Sequence, residues 1–350
     1  MVVGEDGALP LPWLRAPLDD ALGRQRAHAL LVHGAPGIGA LEFALVLAQA
    51  WLCEAPGDED IPRPCGRCAS CRLVQARSHP DLKLRVPEEL ALSIDWPVSV
   101  DEKRKPSRQI RIDEVRDATD WVVTTPARGR AKVLVLHPAE AMNPAAASAL
   151  LKTLEEPPAG ARLVLSAAEP ASLMPTIRSR CQQMTLGAPS VGEALAWLAG
   201  QGVADGGVLL AGAGGRVLDA LALHREGLTA AVWAGLPASV ARGQAGALAG
   251  WPVPRMLDTL QKLCHDAMVA AVGGVPRFFP AASVPASASL PALDLWRRGL
   301  QRVRRNADHP WSEPLLFDAL VAEGRAALAP AASSSARSRS EETALDTLKP

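Results

Sequence analysis

Four cysteines, Cys53, Cys65, Cys68 and Cys71, fall within nineteen positions in the spacing C-x11-C-x2-C-x2-C. Two successive two-residue gaps put three thiolates on one tight turn, with Gly66 allowing the bend. Cys53 can supply the fourth from the end of the preceding helix. Four sulfur ligands complete a tetrahedral shell with no open position, which is the chemistry of a structural zinc and not of a catalytic one. An iron–sulfur cluster uses the same thiolate set, and unligated thiols are the third reading. In a reducing compartment the clustering favours metal over disulfides. His79 is close by but not needed, and reads as a capping or surface histidine; Cys181 and Cys264 read as single buried or partner-facing thiols.

A second constellation has the frame of a reactive site without its reactive groups. Gly34-Ala35-Pro36-Gly37-Ile38-Gly39-Ala40-Leu41 matches the phosphate-binding frame G-x-x-x-x-G-K-[ST], with a strand pattern before it and a helix pattern after it. In a working loop the backbone N–H groups wrap the phosphates, lysine adds charge, and the hydroxyl holds Mg²⁺. Here Ala40 takes the lysine position and Leu41 the hydroxyl position, and Glu42 would repel a phosphate. No lysine precedes Lys83 to substitute. The strand Lys132-Val133-Leu134-Val135-Leu136 should end in metal-holding acids but runs into His137-Pro138-Ala139-Glu140. The expectation is a degenerate site (Gly34, Gly37, Gly39, Ala40, Leu41) with no functional ATP binding.

These groups need a scaffold, and the first half of the chain supplies alternating strand and helix patterns. Strands are predicted at Ala29 to His33, Asp81 to Val86, Lys132 to His137, Ala161 to Ser166 and Gln182 to Leu186. Helices are predicted at Leu18 to His28, Leu41 to Leu52, Ile112 to Val123 and Pro144 to Glu155, the last stopped by Pro157 and Pro158. Alternation of this kind implies an α/β fold, a mostly parallel sheet with helices on both faces. The connection from Val86 to Arg108, with Asp101-Glu102-Lys103-Arg104-Lys105, reads as a solvated surface insertion, a DNA or partner contact being the other reading. After about residue 187 the strand signals stop. Val191 to Ala199 and Gly214 to His224 read as helices of a small second domain. From about Ala241 onward the pattern is helical, Met256 to Val272 included, interrupted by a Pro/Ala/Ser loop at Pro276 to Pro291, with a last helix from Pro314 to Leu328. The tail from Ala331 lacks a core and reads as disordered.

At 350 residues, two or three domains are expected. Lys+Arg and Asp+Glu both total 37, and this balance argues against a protein that grips DNA by itself, although a local basic patch would be hidden in the total. The segment Met1 to Leu14 has no basic run ahead of an apolar one, and no apolar run reaches the length of a membrane span. The expectation is a soluble, cytoplasmic protein.

Taken together, these features resemble the clamp-loader AAA+ family of bacterial DNA polymerase III, and within it the delta-prime branch. The resemblance rests on His28-Ala29-Leu30-Leu31-Val32-His33-Gly34, on the cysteine block with Ser78-His79-Pro80-Asp81, and on Ile112-Asp113-Glu114-Val115-Arg116. It is strongest at Ala149-Leu150-Leu151-Lys152-Thr153-Leu154-Glu155-Glu156-Pro157-Pro158 and at Ile177-Arg178-Ser179-Arg180-Cys181. It is firm from about 24 to 186 and weaker to about 328.

The resemblance implies an AAA+ domain at 1–186 with a zinc module at 53–71, a helical lid at 187–240, a helical collar at 241–328 and a tail at 329–350. It also implies a non-ATPase subunit of a ring in which motor (gamma/tau-like) subunits bind ATP, and which, with a delta subunit, opens a sliding clamp and loads it onto primed DNA. Arg180 would project into a neighbouring subunit's ATP site as an arginine finger, a structural salt bridge being its other reading, with Arg178 a weaker candidate. Glu155 and Glu156 read as a helix terminus and not as an acid/base pair. Motor subunits share the cysteine module but keep the loop lysine. Leu218 falls where a motor's ATP-contacting arginine stands, although a shifted register would put Arg216 there. The competing functions are an ATP-binding motor subunit, a zinc-containing DNA-binding protein and, more remotely, a catalytic zinc enzyme.

Overall fold

The computed structural model describes residues 1–24, 27–57, 62–99, 104–244, 248–285, 288–306 and 312–330. The chain separates into two compact units, Met1–Trp197 and Leu198–Pro350.

In the first unit, β1 (Ala29–His33), β2 (Leu82–Arg85), β3 (Lys132–Leu136), β4 (Ala161–Ala167) and β5 (Gln182–Thr185) form one parallel sheet in the order β2-β3-β4-β1-β5. The inner strands are mostly Leu, Val and Ala, as burial on both faces requires, with His33, Lys132, Arg162 and Ser166 toward their ends. Both edge strands are four residues long; β2 is Leu-Lys-Leu-Arg and β5 is Gln-Gln-Met-Thr. All five strands lie where the sequence predicts them, each within about two residues.

Helices α1 (Arg15–Arg24), α2 (Ala40–Leu52), α3 (Ala69–Gln75), α4 (Glu88–Ser93), α5 (Ile112–Val122), α6 (Pro144–Glu155) and α7 (Pro175–Arg178) connect and flank the strands, and α8 (Val191–Gly200) follows the sheet and runs into the second unit. The register aligns Ala29, Leu31, Leu134, Leu136, Leu163 and Leu165 on one face, and α5 and α6 cover it with Val115, Ala118, Val122, Leu150 and Leu154. The opposite face takes α2, which is buried on nearly every side. Asn143 caps α6, accepting from the Ala146 N–H at 2.8 Å, and Pro144 opens its first turn.

Two expectations need correction. Helix α1 starts three residues before Leu18, because Pro17 is tolerated in a first turn, and Ala27 and His28 are outside it. The connection from Val86 to Arg108 is not simply a solvated insertion. It contains α4, and Glu88 is 1% exposed, accepting from Arg104 Nη2 at 2.5 Å, Arg111 Nη2 at 2.9 Å and the Ser107 N–H at 2.8 Å. A buried carboxylate persists only with partners of this kind. Asp101, Glu102 and Lys103 of that connection, and the tail 331–350, lie outside the described residues.

The second unit is helical, with α9 (Gly206–Gly212), α10 (Val217–Arg225), α11 (Ala230–Ala241), α12 (Val253–Ala271), α13 (Leu290–Arg305) and α14 (Glu313–Leu328). The predicted helix at Gly214 begins only at Val217, since Gly214 and Gly215 have φ of 71° and 86°. Helix α11 runs through the buried Pro237. The Pro-rich loop after α12 is held by the fully buried Asp266, which accepts from the N–H groups of Arg277, Phe278 and Phe279 at 2.7–2.9 Å. Trp233 stacks on Phe279 with ring centroids 5.0 Å apart. Among the described residues no single helix is long and apolar enough to cross a membrane.

Candidate functional site

The four cysteines converge. Helix α2 ends at Leu52 and delivers Cys53; Cys68 caps α3, and Cys71 sits in its first turn. All four Sγ atoms lie within 4.8 Å of one another, with Cys65–Cys71 at 4.0 Å and Cys53–Cys68 at 3.9 Å. Zn–S bonds of about 2.3 Å in a tetrahedron require sulfurs about 3.8 Å apart, so the set fits the ion. Backbone N–H groups of Cys65, Cys68 and Cys71 each donate to a cysteine sulfur at 3.4 Å, which favours thiolates. The hydrogen bond from Cys71 holds the Cys53 thiol below its ordinary value, while that bond and burial push Cys71 up. Gly66 has φ of 72°, and a Cβ there would meet the Gly4 carbonyl oxygen at 1.8 Å, so the turn admits only glycine.

A polar network that sequence reasoning missed ties this module to the sheet. Glu54 accepts from Arg128 Nη2 at 2.5 Å and from Ser70 Oγ at 3.0 Å. His79 is 5% exposed, so it is not a surface residue. Its Nδ1 accepts from the Asp81 N–H at 3.0 Å, which leaves Nε2 to donate to Ser70 Oγ at 3.2 Å. Burial lowers its basicity, and with both nitrogens engaged it is not a metal ligand. Asp81 accepts from the N–H groups of Ala127 and Arg128 and lies 3.5 Å from Lys132 Nζ. The only sequence trace of this network was the Ser78-His79-Pro80-Asp81 run; its partners are some fifty residues away.

The phosphate-loop frame is folded, with Ile38 and Gly39 buried and Ala35 and Pro36 exposed. Gly39 has φ of 103° at the start of α2, and a Cβ there would meet Leu11 Cδ1 at 2.2 Å. Trp13 Nε1 donates to the Ile38 carbonyl at 2.8 Å and its ring packs edge-on against Trp197 at 5.6 Å. Leu41 is 6% exposed where a metal-holding hydroxyl would need to face the ligand. Burial raises the Glu42 carboxyl. At the end of β3, His137 Nδ1 pairs with Ser166 Oγ at 2.6 Å, and burial pulls the imidazole down to about 4. Leu11 and Trp13 carried no signal in the sequence, because their contact to the loop is long-range.

Arg180, in the turn after α7, places Nη2 2.5 Å from Glu155 Oε1, while Nη1 donates to the Thr176 carbonyl at 2.9 Å. Its side chain remains one-third exposed. Glu155 is the last residue of α6 and Glu156 its cap. Arg178 Nε is buried without a partner among the described residues. Arg216 pairs with Asp219 at 2.8 Å, and Leu218 follows it in α10. Cys181 and Cys264 are single buried thiols whose burial pushes both up to about 12.

Against known proteins, residues 18–190 match the family described as DNA polymerase III, delta subunit. The chain is 40% identical over 223 residues to the DNA polymerase III subunit delta' of Pseudomonas aeruginosa, covering 62% of each. It is 32% identical over 283 residues to the delta' subunit of Escherichia coli, covering 75% of this chain and 79% of that one. It is also 34% identical over 171 residues to the tau subunit of Salmonella typhimurium, covering 49% of this chain and 23% of that one. The alignment thus spans under two thirds of the Pseudomonas subunit's length and over two thirds of the Escherichia coli subunit's. On this extent and identity the chain belongs to the DNA polymerase III subunit delta' family.

Proposed function

We propose that the chain is the non-ATPase subunit of a bacterial clamp loader, an AAA+ domain whose own nucleotide site has been closed. The observation that carries this reading is the loop's composition and packing: Ala40 and Leu41 replace the lysine and the hydroxyl, Leu41 is buried and Leu11 lies against Gly39, within an intact strand–loop–helix frame. Residues 187–240 act as the lid and 241–328 as the collar that joins motor and delta subunits in the cytoplasm. The ring then places a sliding clamp on primed DNA. Cys53, Cys65, Cys68 and Cys71 hold a structural zinc, which supplies a cross-link and no reaction.

Arg180 is the one side chain here that acts on chemistry, in trans. Its one-third-exposed guanidinium reaches a neighbour's transferring phosphoryl group, and Glu155 holds it until a phosphate oxygen competes for the same N–H groups.

The similarity to a tau subunit favours a second reading, an ATP-binding motor subunit. Titration calorimetry of the full chain with Mg²⁺ and a slowly hydrolysed ATP analogue separates the two. No binding is expected, and none from Ala40→Lys/Leu41→Thr either, because Leu11 and Trp13 still occupy the loop. A micromolar site on the native chain would establish the motor reading.

A further inference from the structure

We propose that the exposed face of α13 binds nucleic-acid phosphates. This helix carries Arg297, Arg298, Arg302, Arg304 and Arg305 against a single acid, Asp294. Asp294 engages Arg297 at 2.6 Å and Arg298 at 2.7 Å. Among the described residues no carboxylate lies within ion-pair distance of Arg302, Arg304 or Arg305, all of which are exposed. The positions form two adjoining stripes at helical spacing, Arg298/Arg302/Arg305 and Arg297/Gln301/Arg304. Four residues of helix rise about 6 Å, so one stripe presents guanidinium groups at regular intervals to an extended polyanion.

Beside the second stripe, between α12 and α13, is an open cavity of about 480 Å³. Arg297, Arg304 and Arg305 line it with Gln261 and Gln301, and no acid does. Arg304 Nη1 donates to Gln261 Oε1 at 2.7 Å, which fixes the guanidinium at the rim.

A purely structural role explains part of this. Cations in a last helical turn complement the helix dipole, but that effect is confined to the turn and does not reach Arg297 and Arg298. An acidic protein helix is the other polyanion, and it would bring apolar anchors. The exposed leucines of α13, Leu290 and Leu295, all precede the arginines, so the stripe offers such anchors no seat. Arginine throughout, and no lysine, suits the paired oxygens of a phosphate.

The test uses the full chain alone, so its result is independent of the subunit reading. Fluorescence anisotropy with a labelled single-stranded oligonucleotide is followed over a salt series, for the native chain and for Arg302→Ala/Arg305→Ala. Each lost phosphate contact lowers the slope of log K against log salt by about 0.7, so the double variant should lose about 1.4. Arg302→Lys/Arg305→Lys should retain most of the slope, and both variants should keep native helicity and metal content. No binding by the native chain, an unchanged slope in the alanine variant, or equally tight binding of a poly-glutamate peptide would each overturn the proposal.

Discussion

At the scale of single residues, His137 makes folding depend on pH. Its folded imidazole titrates near about 4 against an ordinary value of 6.5. Below the ordinary value the unfolded chain takes up a proton that the folded chain refuses, so stability is intact at neutral pH and declines as pH falls toward the folded value. The whole loss is about 3 kcal/mol at most. Urea unfolding at neutral and mildly acidic pH should show it, and His137→Asn, which keeps a partner for Ser166, should flatten the profile. The companion prediction concerns Arg180. On the proposed function Arg180→Ala should leave folding, metal and assembly intact and slow hydrolysis at the one facing motor site, on the order of 10³-fold or more. Arg180→Lys should rescue poorly, because an ammonium lacks the planar fork. Clamp loading on primed DNA is the readout, and a wild-type rate from the alanine variant would make the Glu155 ion pair its whole role.

At the scale of elements, the cysteine module is a turn and one short helix whose four sulfurs could hold a metal ion. Purified protein should hold close to one equivalent of zinc. Cys68→Ser should release it and lower the melting temperature, since metal binding and local folding are one equilibrium; metal-free protein with unchanged melting would refute this. The four cysteines were legible because three of them share one turn, and the loop frame because its three glycines fall within six residues, Gly34 to Gly39. The three inner strands were legible because buried parallel strands are mostly apolar. The groups that position these features were not. Glu54 meets Arg128 and Leu11 meets Gly39 across long stretches of chain, and no local pattern marks such pairs. Helices α3 and α4 are too short for periodicity to show, and the internal Pro237 hid α11.

At the scale of the whole molecule, a formal charge of zero conceals a helix with five arginines and one acid. The balance still argues against a strong DNA grip overall, but it averages over two units of different character. The second unit has no strand among its described residues and, on the proposed function, serves assembly. A chain ending at residue 244, after α11, should keep its metal and lose stable association with motor and delta subunits in size-exclusion chromatography. Equal assembly by the truncated chain would place the interface elsewhere.

The two short edge strands bear on the time before any partner is met. An open parallel sheet exposes two rows of unpaired N–H and C=O groups, each a template for another chain's strand. Here each row is only four residues long. Lys83 and Arg85 occupy alternate positions of β2, and β5 offers Gln182, Gln183 and Thr185 with a single apolar side chain, Met184. Lys83 and Arg85 both pair with Asp117, and these short polar edges discourage a second copy from adding its own strand, so the margins of the sheet guard the chain against aggregation.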